Sequence, residues 1–392
     1  MRKQIRVVYR FLSRIVNEWV SVRRKPVVIQ MPITSRCNSR CVTCNVWKHR
    51  ERVDIDDTAL KECLKDPFFS EVKAVGLNGG EFSLVPRFKE IIDALTSLPK
   101  LENIYLISNG IAGPRIKEYT RYAKSFFSER GVRVSLCISL DGIGKTHDRI
   151  RGIEGNYIRS EHLLEDILKD LSQYCDQLTI GHTLSRFNID KVYELEALRT
   201  RFNIPIDIHL AVPNKRIGTY SDAGHYDVLA DEKTCQLAAE FFFSRFLEAW
   251  DYHTKARYYA NYYYLIHKGK GRLLNCFYRF QDITIDENLN MCLCATASEP
   301  LGNLKEESAS SIAKSKRMKR EARRLKKECC DRCIHYSYYP MTVRGRFIFA
   351  REVVKQENSM TTYKSFCQKR TPIMSSLDNL KKILKIAIKY DY

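Results

Sequence analysis

The chain lacks any apolar run close to the roughly 20 residues that a membrane-spanning helix needs. Its first residues also lack the uninterrupted apolar core and the small-residue cleavage site of a secretory signal, because basic residues interrupt them. No internal repeat or low-complexity tract is visible. The 392 residues are 44% hydrophobic and 29% charged, which is typical of a globular protein of roughly two to three domains. We expect it in the cytoplasm.

Acidic residues are too few to balance the basic ones. The chain has 66 Lys and Arg against 46 Asp and Glu, a formal charge of +20, which favours an anionic partner such as nucleic acid, a membrane surface or an acidic substrate. Much of the excess lies in the first 25 residues and in KSKRMKREARRLKK, residues 314–327. The simplest interpretation of each run is a solvated helix face. Nucleic acid is not favoured, since the second run lacks the interleaved aromatic residues of a single-strand reader.

A reducing cytoplasm disfavours disulfides, so clustered members of the 14 cysteines are better explained by metal binding or catalysis. Scattered cysteines are better explained as small buried hydrophobic residues. The clusters are Cys37, Cys41 and Cys44; Cys276, Cys292 and Cys294; and Cys329, Cys330 and Cys333.

Short apolar runs alternate with longer helical patterns from Val27 onward. Six strands separated by helices predict an α/β fold with a parallel sheet of right-handed βαβ units, either an open doubly wound sheet or a partial barrel. The predicted strands are 27–33, 72–78, 103–108, 132–140, 177–184 and 205–212. The predicted helices are 56–65, 86–98, 113–129, 157–174, 189–202 and 232–254, with amphipathic basic helices at 5–20 and 377–390.

The motif TSRCNSRCVTC places three thiols in a short loop directly after the first predicted strand, where parallel α/β folds gather reactive residues. A structural zinc ion would need a fourth ligand, and the loop offers none, because His49 lies five residues beyond Cys44 in a charged stretch. A [4Fe-4S] cluster usually takes four cysteines. Three therefore indicate a cluster with one iron left open for a substrate or cofactor.

The chain resembles the radical S-adenosylmethionine (radical SAM) superfamily. The resemblance is carried by Cys37-x3-Cys41-x2-Cys44 after the first strand and by NGGE, residues 78–81, after the second. SNG, residues 108–110, follows the third strand, and SLDG with HDRIRG, within residues 139–152, follows the fourth. It implies a partial (β/α)6 TIM barrel with a [4Fe-4S] cluster held by three cysteines and S-adenosylmethionine on the open iron.

The same resemblance implies roles for the residues at the strand ends. Cleavage of S-adenosylmethionine, with an electron from a donor such as flavodoxin or ferredoxin, yields a 5'-deoxyadenosyl radical that abstracts hydrogen from the substrate. The expected cofactor contacts are Glu81 with Gly79 and Gly80 for the ammonium group, Ser139 and Asn109 for the ribose, Arg151 for the carboxylate, and the backbone of Thr43 for the adenine. Thr43 stands where the family commonly has an aromatic residue, and Trp47 is a candidate to replace its apolar cover. Arg151 is equally well explained as part of a structural salt bridge.

The later cysteines surround a predicted hairpin, in which Ile283 and Ile285 precede the turn DENLN. This arrangement resembles the twitch extension, a shortened SPASM domain, which binds one auxiliary [4Fe-4S] cluster. We assign Cys276, Cys292, Cys330 and Cys333 as its ligands, with Cys294 and Cys329 close enough to substitute. A zinc knuckle held by the same four thiols is the alternative.

These interpretations give an expected domain order and function. The domains are a basic helix (1–25), the radical SAM core (26–215), a helical linker (216–272), the twitch/SPASM-like domain (273–345) and a basic helical tail (346–392). We expect oxidation or epimerisation of a sugar-like or lipid-linked small molecule. Modification of a ribosomal peptide or protein is the first alternative, and RNA modification or binding is the second. Trp19 of the first helix, and Leu380, Ile383, Leu384 and Ala387 of the last, suit peripheral contact with an anionic membrane.

Overall fold

The computed structural model describes residues 24–221, 223–335, 341–367 and 376–389. The chain divides into two compact units. The barrel unit comprises Arg23–Leu237 and Tyr278–Cys330, and the helical unit comprises Met1–Val22, Ala238–Phe277 and Asp331–Tyr392. The predicted helix at 5–20 lies outside the described residues, and none of the described helices is long and apolar enough to cross a membrane.

The barrel unit contains one nine-stranded sheet. Its first six strands pair in parallel with their neighbours in chain order, which confirms the six predicted strands and the partial TIM barrel. Each end lies within two residues of the prediction. The strands are β1 (Val28–Pro32), β2 (Ala74–Asn78), β3 (Asn103–Ser108), β4 (Arg133–Ser139), β5 (Gln177–Leu184), β6 (Ile206–Leu210), β7 (Ile283–Ile285), β8 (Asn290–Cys292) and β9 (Pro300–Asn303).

Helices connect these strands as predicted, although the one predicted at 189–202 is a 3-10 helix over Ile189–Glu194 and an α-helix only from Leu195, and two others are interrupted. The helix predicted at 157–174 breaks at Asp170, and the one predicted at 232–254 ends at Glu248, because the Asp251 side chain accepts the Thr254 N–H and begins a new helix. The helices are α1 (Asp57–Cys63), α2 (Phe88–Ala94), α3 (Gly113–Ser128), α4 (Lys145–Arg151), α5 (Asn156–Lys169), α6 (Leu171–Tyr174), α7 (Leu195–Phe202), α8 (Ala223–Tyr226), α9 (Glu232–Glu248), α10 (Tyr252–Ile266), α11 (Ala309–Lys314), α12 (Lys316–Glu328), α13 (Val343–Cys367) and α14 (Ser376–Lys389).

One face of the parallel sheet is left partly accessible. On β3, Ile104 and Leu106 are fully buried, whereas Tyr105 and Ile107 are 42% and 39% exposed. Tyr105 pairs with Ser135 and Ile107 with Cys137 on β4, so these side chains share one face. Because parallel sheets normally have both faces covered, this accessible face marks the open interior of the barrel.

The predicted hairpin is present and also extends the sheet. Strands β7 and β8 pair antiparallel, and β9 pairs antiparallel with β8. Ile29 and Gln30 of β1 align in parallel with Ile283 and Thr284 of β7. Strand β1 is therefore an interior strand, with β2 on one side and β7 on the other.

The helical unit has a core of its own, built from aromatic and aliphatic residues of α9, α10, α13 and α14. Phe246, Tyr259 and Phe349 meet there with ring centroids 5.2 to 6.2 Å apart. The lipid-facing assignment for α14 is corrected in part, because Ala387 is buried and Ile383 packs against this core, whereas Leu380 and Leu384 are exposed.

Candidate active site

The three-cysteine loop begins directly after β1 and is fixed to the end of β2. The Gly80 N–H donates to the Thr34 carbonyl at 2.7 Å, and the Glu81 N–H donates to the Arg36 carbonyl at 2.7 Å. The Thr34 hydroxyl donates to Asp54 at 2.6 Å, which closes the far side of the loop. Backbone bonds therefore determine where the thiols lie.

Two glycines of NGGE are required by this close approach. Gly79 has a φ of +123°, and a Cβ on it would lie 2.6 Å from the Thr34 carbonyl oxygen. A Cβ on Gly80 would lie only 1.8 Å from the Arg36 carbonyl oxygen. The expected contact of these glycines with S-adenosylmethionine stays a prediction. The structure shows a different reason for glycine at both positions, which the sequence did not reveal: a side chain would collide with the backbone of the cysteine loop.

The other side of the loop is held by the segment that ends α4. The Arg40 and Val42 N–H groups donate to the Arg151 and Ile150 carbonyls at 2.8 and 2.9 Å. Gly152 has a φ of +66°, and a Cβ there would lie 2.5 Å from the Arg40 carbonyl oxygen. The loop is thus clamped between two glycine-containing segments.

Burial and the neighbouring negative charges favour the protonated thiols of Cys37 and Cys44 in the metal-free chain. Burial raises the pKa of Cys37 to about 12, and the charges of Cys41, Glu81 and Cys44 add to the effect. Burial and the Cys41 charge raise the pKa of Cys44 to about 11. The three sulfurs and Glu81 therefore lie within electrostatic range of one another, and a bound metal would favour the thiolate forms of Cys37 and Cys44.

The chemistry of this donor set, three thiols in one short loop, fits an iron–sulfur cluster. Among the described residues, no group of three or more His, Cys, Asp or Glu side chains is placed to hold one metal ion. In a cubane each thiolate binds a different iron, so the sulfurs need not converge on one point.

Glu81 is buried and bonded within the protein. Its Oε1 accepts the Ser83 and Ser108 hydroxyls at 2.8 and 2.9 Å, and its Oε2 accepts the Asn109 N–H at 2.7 Å. Burial nevertheless raises the pKa of this carboxyl. Glu81 joins the ends of β2 and β3, and its predicted contact with the cofactor ammonium group stays a prediction.

Asn109 and Ser139 lie at the ends of β3 and β4. The Asn109 amide donates to the Asn38 side chain at 2.8 Å and approaches the Cys37 sulfur at 3.8 Å. It therefore supports the cysteine loop in addition to its predicted ribose contact. Ser139 is 9% exposed. It lies two residues after Cys137 and therefore on the same, accessible face of the sheet. Its contact with the ribose stays a prediction.

Arg151 makes a buried ion pair, as one of its two interpretations required. Its Nε lies 2.7 Å from Asp141 Oδ2, and its NH1 group lies 3.8 Å from the Cys41 sulfur. The two anionic neighbours raise the pKa of Arg151 despite its burial. Its charge is directed at the cysteine loop, and the predicted contact with a cofactor carboxylate remains a prediction.

The residues predicted near the adenine are half-buried. The Trp47 indole N–H donates to the Cys41 carbonyl at 3.3 Å, so Trp47 stabilises the turn that contains Thr43. Neither the predicted backbone contact of Thr43 nor the apolar cover of Trp47 is tested by these contacts.

Arg216, on the loop after β6, was not singled out from the sequence. The Ile217 and Gly218 carbonyls accept the Asn45 backbone and side-chain N–H groups at 3.0 and 2.8 Å. The Lys215 N–H donates to the Thr296 carbonyl at 2.8 Å. The loop therefore connects the residue after Cys44 with the segment after Cys294. Burial raises the pKa of both Cys44 and Cys292, and the Arg216 charge opposes this rise.

The predicted auxiliary ligands divide between the two units. Cys292 ends β8 and Cys330 follows α12 in the barrel unit, whereas Cys276 and Cys333 belong to the helical unit. Cys292 is buried, and burial raises its pKa. The Cys333 carbonyl accepts a bond from Arg272 at 2.7 Å. The assignment of these four ligands stays a prediction.

Comparison with known proteins gives partial relatives. A scan against protein-family models finds no match. Identity is 26% over 173 residues with the sporulation killing factor maturation protein SkfB of Bacillus subtilis (strain 168), covering 43% of this chain and 38% of SkfB. It is 27% over 188 residues with the GTP 3',8-cyclase of Clostridium perfringens (strain SM101 / Type A), covering 46% of this chain and 53% of the cyclase. The matching part of the chain thus spans about half, or less, of the length of these relatives.

A solved structure matches over most of the chain. The enzyme anSMEcpe, with bound AdoMet and the Cp18Cys peptide, superposes with a TM-score of 0.53 at 14% identity, covering 93% of this chain and 96% of that one. Likeness at this identity shows the fold alone. The strand-end motifs, the partial barrel and these relatives together support the resemblance of the chain to the radical SAM superfamily.

Proposed function

We propose that the chain is an enzyme that binds a [4Fe-4S] cluster through Cys37, Cys41 and Cys44 and S-adenosylmethionine at the remaining iron. When bound, these cofactors supply a 5'-deoxyadenosyl radical that abstracts hydrogen from the substrate. The observation that carries this proposal is the three-cysteine loop clamped between the glycines after β2 and Gly152.

The residues around the loop have distinct tasks in this proposal. Arg151 and Arg216 oppose the negative charge of the thiolates, which stabilises the ligand loop in its metal-bound form. Glu81 keeps the ends of β2 and β3 together and offers one lone pair to the cofactor ammonium. The accessible face of the barrel, including Tyr105 and Ile107, receives the substrate.

A second [4Fe-4S] cluster on Cys276, Cys292, Cys330 and Cys333 is part of the proposal, with structural zinc as the competing occupant. Iron and zinc are quantified after anaerobic reconstitution. Two clusters give about eight irons per chain, and C276A/C330A is expected to retain about half of that iron. An unchanged iron content in this variant, or one equivalent of zinc in the wild type, excludes the auxiliary cluster.

For the substrate we propose a peptide or protein side chain, in place of the small molecule expected from the sequence. The support is that anSMEcpe, which matches along most of the chain, was solved with a peptide, and that SkfB is a maturation protein for a killing factor. A small molecule is the second candidate, since a GTP 3',8-cyclase is also a relative.

The decisive assay measures 5'-deoxyadenosine released from S-adenosylmethionine under dithionite. Wild type and the control C63A, which lacks a cysteine outside the clusters, should release it, and C37A should not. Equal release by C37A and wild type refutes the cluster assignment. Deuterium transfer into 5'-deoxyadenosine from deuterated peptides, compared with deuterated nucleotides and sugars, then identifies the substrate class.

A further inference from the structure

Helix α12 presents a strongly cationic surface to solvent. Its basic face, defined as Lys316, Lys319, Arg320, Arg323, Lys326 and Lys327, is exposed along the whole helix. The spacing of these residues places them on one side of the helix. The simplest interpretation of this run from the sequence was a solvated helix face. Six exposed cations aligned on one side of a helix also form a surface that can bind an anionic partner.

The opposite side of α12 is fully committed to the barrel unit. Met318 and Leu325 are buried. Glu321 accepts the Glu299 N–H at 2.9 Å and pairs with Arg324 at 2.6 Å, while Arg324 also donates to the Ala297 carbonyl at 2.8 Å. The helix is therefore held rigidly beside the segment that follows the hairpin cysteines.

These contacts favour an acidic protein over other anionic partners. An interfacial membrane helix inserts an apolar side into lipid, but the apolar residues of α12 are buried in the protein. A single-strand RNA reader needs aromatic stacking platforms, and the sequence of α12 contains none. A row of cations on a fixed scaffold suits the electrostatic steering of a negatively charged protein.

The position of the basic face indicates which acidic protein. Helix α12 ends at Glu328, and the Cys329 N–H still bonds to the Leu325 carbonyl at 3.0 Å, so Cys330 follows the cationic surface directly. We infer that the basic face of α12 is the docking surface for an acidic one-electron carrier protein of the flavodoxin or ferredoxin class. This inference rests on the proposed function, which requires an external electron.

The transfer balances without any other reactant. One electron leaves the reduced cofactor of the carrier and one electron enters an iron–sulfur cluster of the enzyme. The carrier is oxidised and the cluster reduced by one electron each, and no atom is exchanged.

The test compares wild type with K319E/R320E/R323E, using a purified acidic flavodoxin as the probe. The matched control is R115E/R130E/R159E, which reverses three exposed cations on or next to α3 and α5. Flavodoxin affinity and the rate of cluster reduction by reduced flavodoxin, followed by stopped-flow absorbance at low salt, should each fall at least about tenfold in the α12 variant only. Added salt should reduce the wild-type rate towards that of the variant.

Two further measurements separate the possible outcomes. Reduction by dithionite and dithionite-driven 5'-deoxyadenosine release should be unchanged in the α12 variant, and their absence in wild type would defeat the proposed function instead. Equal flavodoxin kinetics in wild type and the α12 variant overturn the docking surface. The docking surface is also overturned if the α12 variant keeps its affinity for flavodoxin but loses binding to anionic vesicles or duplex RNA. If circular dichroism shows that the reversal variant is unfolded, K319Q/R320Q/R323Q gives the same comparison.

Discussion

Gly80 lies so close to Arg36 that a Cβ on residue 80 would stand 1.8 Å from the Arg36 carbonyl oxygen. The backbone of the cysteine loop occupies the place where any other residue would carry its side chain. The proposed cofactor site therefore depends on a contact between two backbones, before any side chain is considered.

The first prediction is that G80A displaces the cysteine loop. The backbone of residue 36 must move, at a cost of about 1–3 kcal/mol in the free energy of unfolding, and iron incorporation should fall strongly. Urea unfolding and iron quantitation after reconstitution measure both effects. G113A is the control, because a Cβ there would meet only Leu163 at 3.8 Å. A G80A protein with normal iron content would contradict the prediction.

The second prediction concerns the buried ion pair of Asp141 and Arg151. R151M leaves the Asp141 carboxylate buried without its cation, which should lower the free energy of unfolding by about 3–5 kcal/mol. D141N/R151M should lose less than the two single variants together. Denaturant unfolding of this set is compared with R149M, which changes an exposed arginine. Additive losses would show that the two side chains are not coupled.

The third prediction is an acid-dependent loss of stability through His147. Burial lowers the pKa of this ring to about 4 from its ordinary value of 6.5. The unfolded state therefore binds the proton first, and stability is fully present above pH 6.5 and falls as the pH drops to about 4. The span corresponds to about 3 kcal/mol. The titratable and charged groups that act on it are Arg151, Asp141, Asp148 and His182.

The H147N variant tests this assignment. An asparagine oxygen can accept the Asp141 N–H, which the His147 ring now accepts at 3.0 Å, but it does not titrate. The free energy of unfolding of H147N, measured between pH 7.5 and 4.5, should decline less steeply than that of wild type. Burial also lowers the pKa of His182, so part of the slope should persist. Parallel profiles would remove His147 as a source.

The fourth prediction concerns Arg216, whose charge acts on both Cys44 and Cys292. A nearby cation stabilises the more negative, reduced form of a cluster. R216Q should therefore lower the reduction potentials of the clusters proposed on Cys44 and on Cys292 by tens of millivolts, on the order of 1 kcal/mol for one electron. Redox titration monitored by electron paramagnetic resonance measures it. K215Q is the control, because Lys215 is the neighbouring cation and, like Arg216 with Glu287, pairs with one glutamate, Glu299. An equal shift in both variants would exclude a specific effect.

The sequence predicted those parts of the fold that depend on local patterns. Apolar runs identified all six strands of the barrel, because β1 to β5 each have a buried face, and β6 carries Ile206, Ile208 and the buried Leu210 on one face. The motifs at the strand ends identified the cysteine loop and its neighbours Glu81 and Arg151. Residues at successive parallel strand ends must meet at one edge of the sheet, so their proximity follows from the topology.

Long-range contacts could not be predicted in this way. The pairing of Ile29 with Ile283 joins strands more than 250 residues apart. A local sequence pattern does not determine which edge of the sheet a hairpin pairs with. The requirement for glycine at position 80 depends on the path of the loop that contains Arg36. The role of Arg216 depends on long-range contacts that place its loop between two cysteine-containing segments.

Strand β1 is paired on both of its sides, which bears on how the ligand loop moves. Its backbone aligns with β2 from Val28 to Pro32 and with β7 at Ile29 and Gln30, so the base of the loop belongs to the interior of the sheet and not to an edge. We therefore expect slower hydrogen exchange at the base of the sulfur-bearing turn than in the loops at the sheet edge.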